Sequence, residues 1–251
     1  MSKIALITGA TAGIGEACAR LFARQNYNLI LVARRGEKLN SLADTLQQEF
    51  NIQVKTLVAD VRNKKEVVQL EELSDDWKKV DVLINNAGLS QGMDPINSGD
   101  TDDWDVMIDT NVKGLLYVTK VVSNWMIKYG IGHIINLGSI AGKETYLNGN
   151  VYCATKYAVD SLNQAMRIDL LSHNIKVTGI HPGAVQTEFS EVRFKGDKER
   201  AKKVYQGFQP LYAEDIAETI WFAVSRPAHV NINELTVMPT AQANTTHIFK
   251  Q

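Results

Sequence analysis

Short runs of aliphatic and β-branched residues alternate along the chain with longer amphipathic segments, and no other property limits the choice of fold so strongly. Strands are predicted at 4–8, 29–33, 54–58, 80–85, 133–137, 176–181 and 235–238, and helices near 14–24, 37–49, 64–77, 101–128, 150–172 and 213–225. Most of the strands are apolar throughout, which is typical of strands covered on both faces. The alternation predicts right-handed crossovers in one doubly wound, Rossmann-like α/β domain, with a mostly parallel seven-stranded sheet and helices on both faces.

The chain length supports a single domain, and one segment stands apart from the alternation. The 251 residues are close to the largest size that one hydrophobic core serves, and no linker or internal repeat divides them. Residues 183–212 form a polar stretch that follows the sixth predicted strand. Because an insertion of this length in a compact domain is usually functional or disordered, we interpret it as a lid over a substrate site.

Charge, hydropathy and cysteine content exclude several classes of protein. With 27 basic and 28 acidic residues, no broad attraction to nucleic acid or to an anionic membrane surface is expected. No apolar stretch approaches the roughly 18 residues of a membrane span, and the apolar run 4–7 is too short for a signal peptide. Cys18 and Cys153 are too few for a disulfide framework and have no metal-ligand spacing. We therefore expect a cytoplasmic protein with free thiols and no metal site.

A glycine-rich turn follows the first predicted strand. Gly9, Gly13 and Gly15 allow a tight turn and a close approach of the backbone to a ligand. A helix that begins near Gly13 directs its free N–H groups and its positive dipole end at an anion in the turn. Alone, such a turn could be only a tight connection. After the first strand of an alternating chain it favours a dinucleotide-binding domain, here spanning residues 1–251.

The end of the second predicted strand indicates which dinucleotide binds. Arg34 and Arg35 follow the strand, and no carboxylate stands at its end. An acid at this point accepts hydrogen bonds from the ribose hydroxyls of NAD, whereas guanidinium groups bind the 2′-phosphate of NADP. The alternative is that both arginines are solvated residues at the start of a helix. The charge pattern predicts NADP(H) as the cofactor.

Polar residues from three predicted elements are expected to meet at one edge of the sheet. Residues 85–88 read Asn-Asn-Ala-Gly at the end of the fourth strand, and Ser139 follows the fifth. The next helix carries Tyr152 and Lys156, whose spacing of four places them on one helix face. A Tyr–Lys pair at this spacing is by itself a common accident. Here Ser139 lies at a strand's carboxyl end, where ligands of doubly wound sheets bind.

This set of side chains suits hydride transfer at a hydroxyl-bearing carbon. Oxidation of an alcohol needs a base for the hydroxyl proton, and free tyrosine, with a pKa of about 10, is a poor base at neutral pH. Lowering that pKa by about three units corresponds to about 4 kcal/mol, which a cation about 4 Å away supplies at an effective dielectric of about 20. We predict that Lys156 is this cation, Tyr152 the general acid/base, and Ser139 the group that orients the substrate oxygen.

Together these motifs resemble the short-chain dehydrogenase/reductase family over nearly the whole chain. The motifs that carry the resemblance are Thr8-Gly9-x-x-x-Gly13-x-Gly15, Asn85-Asn86-Ala87-Gly88, Asn111, Ser139, Tyr152-x-x-x-Lys156 and Pro182-Gly183. The resemblance implies that Ser139, Tyr152, Lys156 and Asn111 are catalytic. It also implies that Lys156 holds the nicotinamide ribose and that Asn111 fixes a proton-relaying water. For Asn111, a side chain that kinks its helix and bonds only to backbone is an equal alternative.

The resemblance also implies a cofactor-binding set. Asp60 would bind the adenine and Thr187 the carboxamide, although ordinary turn chemistry could explain either residue. The predicted cofactor-binding residues are Gly9, Thr11, Gly13, Ile14, Gly15, Arg34, Arg35, Asp60, Val61, Asn86, Ala87, Gly88, Tyr152, Lys156, Pro182, Gly183, Val185 and Thr187. His133 and His181, at strand ends, are predicted to be structural because the tyrosine already fills the base role.

The segments 85–92, 187–197 and 227–233 resemble one subgroup of the family, the NADP-dependent 3-hydroxy acid dehydrogenases, which include serine 3-dehydrogenase and L-allo-threonine dehydrogenase. The resemblance implies a small 3-hydroxy acid substrate. The predicted substrate contacts are Ser139, Tyr152 and Arg193, with Arg193 pairing with the carboxylate. A solvated arginine on a mobile loop is the alternative for Arg193, and the role of Lys195 stays open.

Two further functions are compatible with these residues. One is a 3-oxoacyl or general carbonyl reductase with the same catalytic set. The other is a non-catalytic NADP-binding sensor, which predicts damage among Ser139, Tyr152 and Lys156, and all three are intact. The helices near 101–128 and 150–172 carry a surplus of apolar residues. Similar proteins use these helices in a dimer contact, commonly within a tetramer, so the resemblance implies a homo-oligomer.

Overall fold

The predicted alternation of strands and helices is present in the structure, a computed structural model that describes residues 2–251. Its strands are β1 Ile4–Thr8, β2 Asn28–Ala33, β3 Val54–Val58, β4 Val82–Asn85, β5 His133–Leu137, β6 Lys176–Pro182 and β7 Glu234–Val237. They form a seven-stranded sheet in the order β3-β2-β1-β4-β5-β6-β7. Every neighbouring pair is parallel, so the sheet predicted as mostly parallel is parallel throughout.

The winding of the sheet reverses between β1 and β4, which are neighbours in space but not in sequence. Leu6 lies opposite Ile30 of β2 on one side and opposite Leu83 of β4 on the other. The connections after β1 and β4 consequently leave on opposite sides of the sheet. This topology opens a crevice at the carboxyl ends of the strands, where doubly wound sheets bind their ligands.

The helices agree with the predicted segments except in two places, and two further short helices lie in the 183–212 segment, where none was predicted. They are α1 Gly13–Arg24, α2 Gly36–Glu49, α3 Lys64–Val68, α4 Thr101–Ile108, α5 Leu115–Tyr129, α6 Asn150–Asp169, α7 Phe189–Arg193, α8 Lys198–Lys203 and α9 Ala213–Val224. The helix predicted over 64–77 is wrong beyond a short 3₁₀ turn that ends at Glu72. There, Ser74 accepts a hydrogen bond from the Trp77 amide at 2.9 Å in a turn, as short polar residues favour.

The helix predicted over 101–128 is interrupted by a wider π-helical turn, Asp109–Gly114, between α4 and α5. Such bulges insert one extra residue into the helical ladder and often occur at functional sites. The turn places Asn111 on the side that faces the strand ends. Helix α5 then ends at Gly130, whose φ of +67° is the left-handed conformation that glycine adopts readily.

Alternate residues of the central strands pack against helices on opposite faces of the sheet. One face carries Ala5, Ile7, Leu29 and Leu31 under α1, α2 and α9, while the other carries Leu6, Ile30, Leu83 and Ile134 under α3, α5 and α6. This explains why most strands are apolar throughout. The two edge strands are the exceptions, because β3 leaves Lys55 and Thr56 exposed and β7 leaves Glu234 and Thr236 exposed.

The polar segment 183–212 is ordered and carries the two short helices α7 and α8. Its backbone is fastened to the 89–93 region, where the Gly92 amide donates to the Arg193 carbonyl at 3.0 Å. Lys195 Nζ lies 2.9 Å from the Asp103 carboxylate and 3.3 Å from that of Asp100. The segment therefore lies across the carboxyl ends of the strands. Within residues 2–251 no helix is both long enough and apolar enough to cross a membrane.

Candidate active site

A cavity of about 570 Å³ opens at the carboxyl ends of the strands. It gathers the predicted site residues Gly9, Thr11, Gly13, Ile14, Arg34, Arg35, Asp60, Val61, Asn86, Ala87, Gly88, Ser139, Tyr152, Lys156, Pro182, Gly183, Val185, Thr187 and Arg193 along its walls. Two predicted residues, Gly15 and Asn111, lie just behind the wall. Residues far apart in sequence thus meet at the carboxyl ends of the strands, as the topology of the sheet predicts.

The glycine-rich turn is shaped so that side chains would fill it. Gly9 and Gly13 have φ of +67° and +51°. A Cβ at Gly9 would lie 2.9 Å from Asn86 Nδ2, and a Cβ at Gly15 would lie only 2.3 Å from the Gly9 carbonyl oxygen. Helix α1 begins at Gly13, so its free amides face the cavity. The turn fits an anionic group such as a pyrophosphate.

Arg34 and Arg35 both line the cavity beside this turn, and acids reach each of them. Arg35 donates from Nε to Thr11 Oγ1 at 3.1 Å and from Nη2 to the Thr11 carbonyl at 2.9 Å. Its Nη1 donates to Glu188 Oε2 at 2.8 Å. Arg34 Nη1 lies 3.8 Å from the Asp60 carboxylate. Sequence reasoning missed Glu188, since it lies 153 residues from Arg35 and no local pattern connects them.

The carboxylate of Asp60, which is predicted to bind adenine, is paired with a neighbouring arginine. Arg62 donates to both carboxylate oxygens, with Nη2 2.6 Å from Oδ2. Burial alone would raise the pKa of Asp60, but Arg62 and Arg34 hold it below its usual range. Asp60 and Val61 remain on the cavity wall, and their contact with adenine stays a prediction.

Tyr152 and Lys156 share one face of α6, as the spacing predicts. Lys156 Nζ lies 6.0 Å from the centroid of the Tyr152 ring and donates a hydrogen bond to the Leu137 carbonyl at 2.8 Å. Ser139 lies within hydrogen-bonding reach of the Tyr152 hydroxyl. Its Oγ also accepts the Ala141 amide at 3.0 Å, which fixes the side chain at the start of a short 3₁₀ turn.

The predicted lowering of the Tyr152 pKa by Lys156 is not found. Burial raises the pKa of the Tyr152 hydroxyl above its ordinary value, and the neighbouring Tyr146 raises it further. Arg193 and Ser139 oppose these effects. The prediction neglected desolvation, which disfavours both charged forms, so burial also lowers the pKa of Lys156 to about 8. Arg193, with its guanidinium carbon 5.2 Å from the ring centroid, is nearer to the ring than Lys156.

The buried lysine gives folding stability a pH dependence. Since an unfolded lysine titrates near pH 10.4 and Lys156 near pH 8, only the unfolded state holds the proton between these values. The free energy of unfolding should therefore rise with pH between about pH 8 and about pH 10.4. This added stability is absent below about pH 8, where both states hold the proton. Relative to Lys156→Met, the unaltered chain should gain about 2–3 kcal/mol in unfolding free energy between pH 7.5 and 10.5. Urea titrations at both pH values measure this difference, and equal slopes for the two chains would contradict it.

Asn111 lies in the π-helical turn and bonds mainly to backbone. Its Oδ1 accepts the Leu89 amide, and its Nδ2 donates to the Leu89 carbonyl, both at 2.8 Å. Nδ2 also donates to Thr155 Oγ1 at 3.0 Å. Apart from the bond to Thr155, these contacts agree with the alternative in which the side chain kinks its helix and bonds only to backbone. A role in holding a relay water stays a prediction.

Arg193 extends from α7 into the cavity and is held there by two side chains that sequence reasoning missed. Its Nε donates to Ser90 Oγ at 2.9 Å, and its Nη2 donates to the Tyr146 hydroxyl. The guanidinium lies 5.5 Å from the ring centroids of Tyr146 and Phe189. No hydrogen-bond partner of Nη1 is found among residues 2–251. These contacts favour a guanidinium held in place over the alternative of a solvated arginine on a mobile loop.

Both histidines are buried away from the cavity. His133 Nε2 lies 2.8 Å from Thr178 Oγ1, and burial lowers the pKa of His133 to about 3. His181 Nε2 lies 3.6 Å from Asp160 and 3.9 Å from Glu234, a cluster with metal-ligand geometry that the sequence could not indicate. Lys143 Nζ lies 2.9 Å and 2.7 Å from these two carboxylates, so a cation already bridges them.

Comparison with known proteins agrees with this geometry. A family model of short chain dehydrogenases matches residues 3–198. NADP-dependent 3-hydroxy acid dehydrogenase YdfG of Escherichia coli (strain K12) is 46% identical over 242 residues, which cover 96% of each chain. Sulfoacetaldehyde reductase 2 of Chromohalobacter salexigens is 45% identical, covering 97% of this chain and 96% of that protein. A solved structure, the closed form of serine dehydrogenase complexed with NADP+, superposes with a TM-score of 0.91 at 44% identity and covers 99% of this chain and 100% of that one. The chain therefore belongs to the short-chain dehydrogenase family.

Proposed function

We propose that the chain is an NADP(H)-dependent oxidoreductase that interconverts a small 3-hydroxy acid and its 3-oxo acid or semialdehyde. The proposed substrates are L-serine, L-allo-threonine and 3-hydroxypropionate. The observation that carries the proposal is the pairing of Tyr152 with Arg193 in one cavity. A proton-transfer group and a cation with a free donor lie side by side there, which suits a molecule that bears a hydroxyl and an anionic group.

The cavity residues fit a dinucleotide at one end and the reacting carbon at the other. The glycine turn and the start of α1 suit the pyrophosphate, and Arg34 and Arg35 suit a 2′-phosphate. The nicotinamide ring of such a cofactor supplies the acceptor or donor of hydride. Relatives whose names include NADP, among them the serine dehydrogenase complex, support this cofactor.

The chain's own part in the reaction is proton transfer and orientation. Ser139 would donate a hydrogen bond to the substrate oxygen and hold it beside the Tyr152 hydroxyl. Because burial keeps the pKa of Tyr152 above its ordinary value, this hydroxyl carries its proton at neutral pH and is ready to donate it during carbonyl reduction. In the direction of alcohol oxidation, the phenolate that must form is favoured by Ser139 and Arg193, which both lower this pKa.

Arg193 would select substrates with an anionic end. Ser90 and Tyr146 use donors on Nε and Nη2 and fix the orientation of the guanidinium, so Nη1 is left for a charge-assisted hydrogen bond. The carboxylate of a 3-hydroxy acid lies only two carbon–carbon bonds from the reacting carbon. A molecule this short suits a site in which Arg193 and Tyr152 are neighbours, with 5.2 Å from the guanidinium carbon to the ring centroid.

A second candidate substrate is a small sulfonate aldehyde. The 45% identical relative named sulfoacetaldehyde reductase 2 favours it, since a sulfonate suits the same arginine.

Initial rates separate the candidates. The panel comprises L-serine, L-allo-threonine, L-threonine, 3-hydroxypropionate and sulfoacetaldehyde, each with the NADP and the NAD form of the cofactor. A neutral ketone and a 3-oxoacyl thioester complete the panel, and a preference for either would favour the general carbonyl reductase. Tight NADPH binding without turnover of any compound would favour the non-catalytic sensor.

We infer further that the chain acts in the cytoplasm as a homo-oligomer, either a dimer or a tetramer. Large apolar side chains remain exposed on α5 and at the end of α6, including Leu116, Ile168 and Leu171. An apolar surface of this kind is favourable against a second copy of the chain. Sedimentation equilibrium would report the mass, and a monomer at micromolar concentration would contradict the inference.

Replacing Gly15 with alanine is expected to weaken NADPH binding at least ten-fold. The added Cβ would lie 2.3 Å from the Gly9 carbonyl oxygen, so the turn must move away from α1. Fluorescence titration with NADPH measures the effect. Gly130→Ala, far from the cavity, is the control. The alanine would be strained by the φ of +67°, but its Cβ would have no atom within 4 Å. It should reduce stability without changing NADPH affinity, and equal effects on affinity would contradict the prediction.

A further inference from the structure

An acid from the 183–212 segment pairs with one of the two arginines that suit the 2′-phosphate. Glu188 Oε2 lies 2.8 Å from Arg35 Nη1, and Glu188 Oε1 lies 3.7 Å from Lys38 Nζ. Both basic residues belong to the start of α2, next to the end of β2. Glu188 thus contacts two of the cations at the cofactor end of the cavity.

The rest of the Arg35 guanidinium is fixed on the glycine turn. Its Nε and Nη2 both donate to Thr11, so Nη1 is the donor whose partner can change without moving the side chain. Arg34 differs, because Asp60 lies 3.8 Å from it and is already bound by Arg62. Of the two arginines, Arg35 has the shorter contact with an acid.

We propose that Glu188 sets the affinity for NADP(H) by competing with the 2′-phosphate for Arg35, an inference that rests on the proposed cofactor. A 2′-phosphate that binds the N–H group of Nη1 now bonded to Glu188 must displace the carboxylate, and elsewhere on the same guanidinium the two negative charges repel each other. Burial alone would raise the pKa of Glu188, but Arg35 and Lys38 hold it below its usual range. The carboxylate is therefore ionised at neutral pH, where the phosphate carries most of its charge. The competition weakens binding and speeds release of the spent cofactor, a step that limits turnover in many enzymes.

The test compares two probes that differ only in the 2′-phosphate, 2′,5′-ADP and 5′-ADP, by isothermal titration calorimetry. Glu188→Gln keeps the size of the side chain and an oxygen that accepts from Arg35 but removes the charge. We expect about five-fold tighter binding of 2′,5′-ADP and unchanged binding of 5′-ADP. The gain should shrink in about 1 M salt. Glu191→Gln, which removes the same charge from the exposed part of α7, is the matched control and should change neither affinity.

A double-variant cycle separates competition for Arg35 from a general effect of charge. In an Arg35→Met background, Glu188→Gln should no longer improve 2′,5′-ADP binding, because the shared partner is gone. The proposal is wrong if Glu188→Gln leaves the ratio of the two affinities unchanged or lowers it, or if the gain persists without Arg35. The proposed cofactor has its own criterion, which is that the unaltered chain must bind 2′,5′-ADP more tightly than 5′-ADP.

Discussion

Replacing Tyr152 with phenylalanine is expected to reduce kcat by about 10²–10⁴-fold with the best substrate of the panel, in either direction. The variant keeps the ring, which packs 5.6 Å from Phe189 and 5.2 Å from the Arg193 guanidinium, and loses only the hydroxyl. Proton transfer by a positioned side chain contributes about 10²–10⁴-fold to a rate, and Ser139 acts on the Tyr152 hydroxyl, lowering its pKa against the effect of burial. Steady-state kinetics at saturating substrate measure the loss.

Two controls show that the loss concerns proton transfer. NADPH affinity and unfolding free energy should stay within about two-fold and about 1 kcal/mol of the unaltered chain, because the ring contacts remain. Tyr157→Phe removes a hydroxyl from the same helix but outside the cavity. That hydroxyl donates a hydrogen bond of 2.7 Å to the Lys143 carbonyl. That variant should keep its activity. Full activity of Tyr152→Phe would refute the proposed mechanism.

Replacing Arg193 with methionine is expected to lower kcat/KM for 3-hydroxypropionate by two to three orders of magnitude. A charge-assisted hydrogen bond in a water-poor site is worth about 2–4 kcal/mol when one partner is removed. The loss should fall on substrates with an anionic group. For 1,3-propanediol, which has the same carbon chain without the carboxylate, the change should stay within a few-fold. The ratio of kcat/KM for the acid and the diol is the measurement.

The control for Arg193 is Lys198→Met, which removes a positive charge from the same 183–212 segment outside the cavity wall. It should leave the acid-to-diol ratio unchanged. If Arg193→Met lowered the acid and the diol equally, Arg193 would act through Tyr152, whose pKa it lowers, and not by binding the substrate carboxylate. A sulfonate substrate should lose as much as the carboxylate, since either anion uses the same donor.

Local periodicity and spacing predicted most of the fold and the face of α6 that carries Tyr152 and Lys156. Aliphatic runs located the strands because both sheet faces are covered, and the spacing of Tyr152 and Lys156 put them together because α6 is regular. The sequence failed where a contact is made across the fold. Glu188 on Arg35 and Tyr146 on Arg193 join residues with no shared local pattern. The sign of the Tyr152 pKa shift was also missed, because it depends on burial, which one sequence does not report.

The fastening of Lys195 to Asp103 bears on how a substrate can enter. The Asp103 side chain is only 7% exposed, and its ionic partner belongs to the 183–212 segment, which lines the cavity. Lifting that segment would leave a carboxylate without a counter-ion in a poorly hydrated place, an unfavourable arrangement for any protein. The ion pair therefore holds the 183–212 segment against α4. Movement of the segment should become easier as salt weakens the exposed side of the pair.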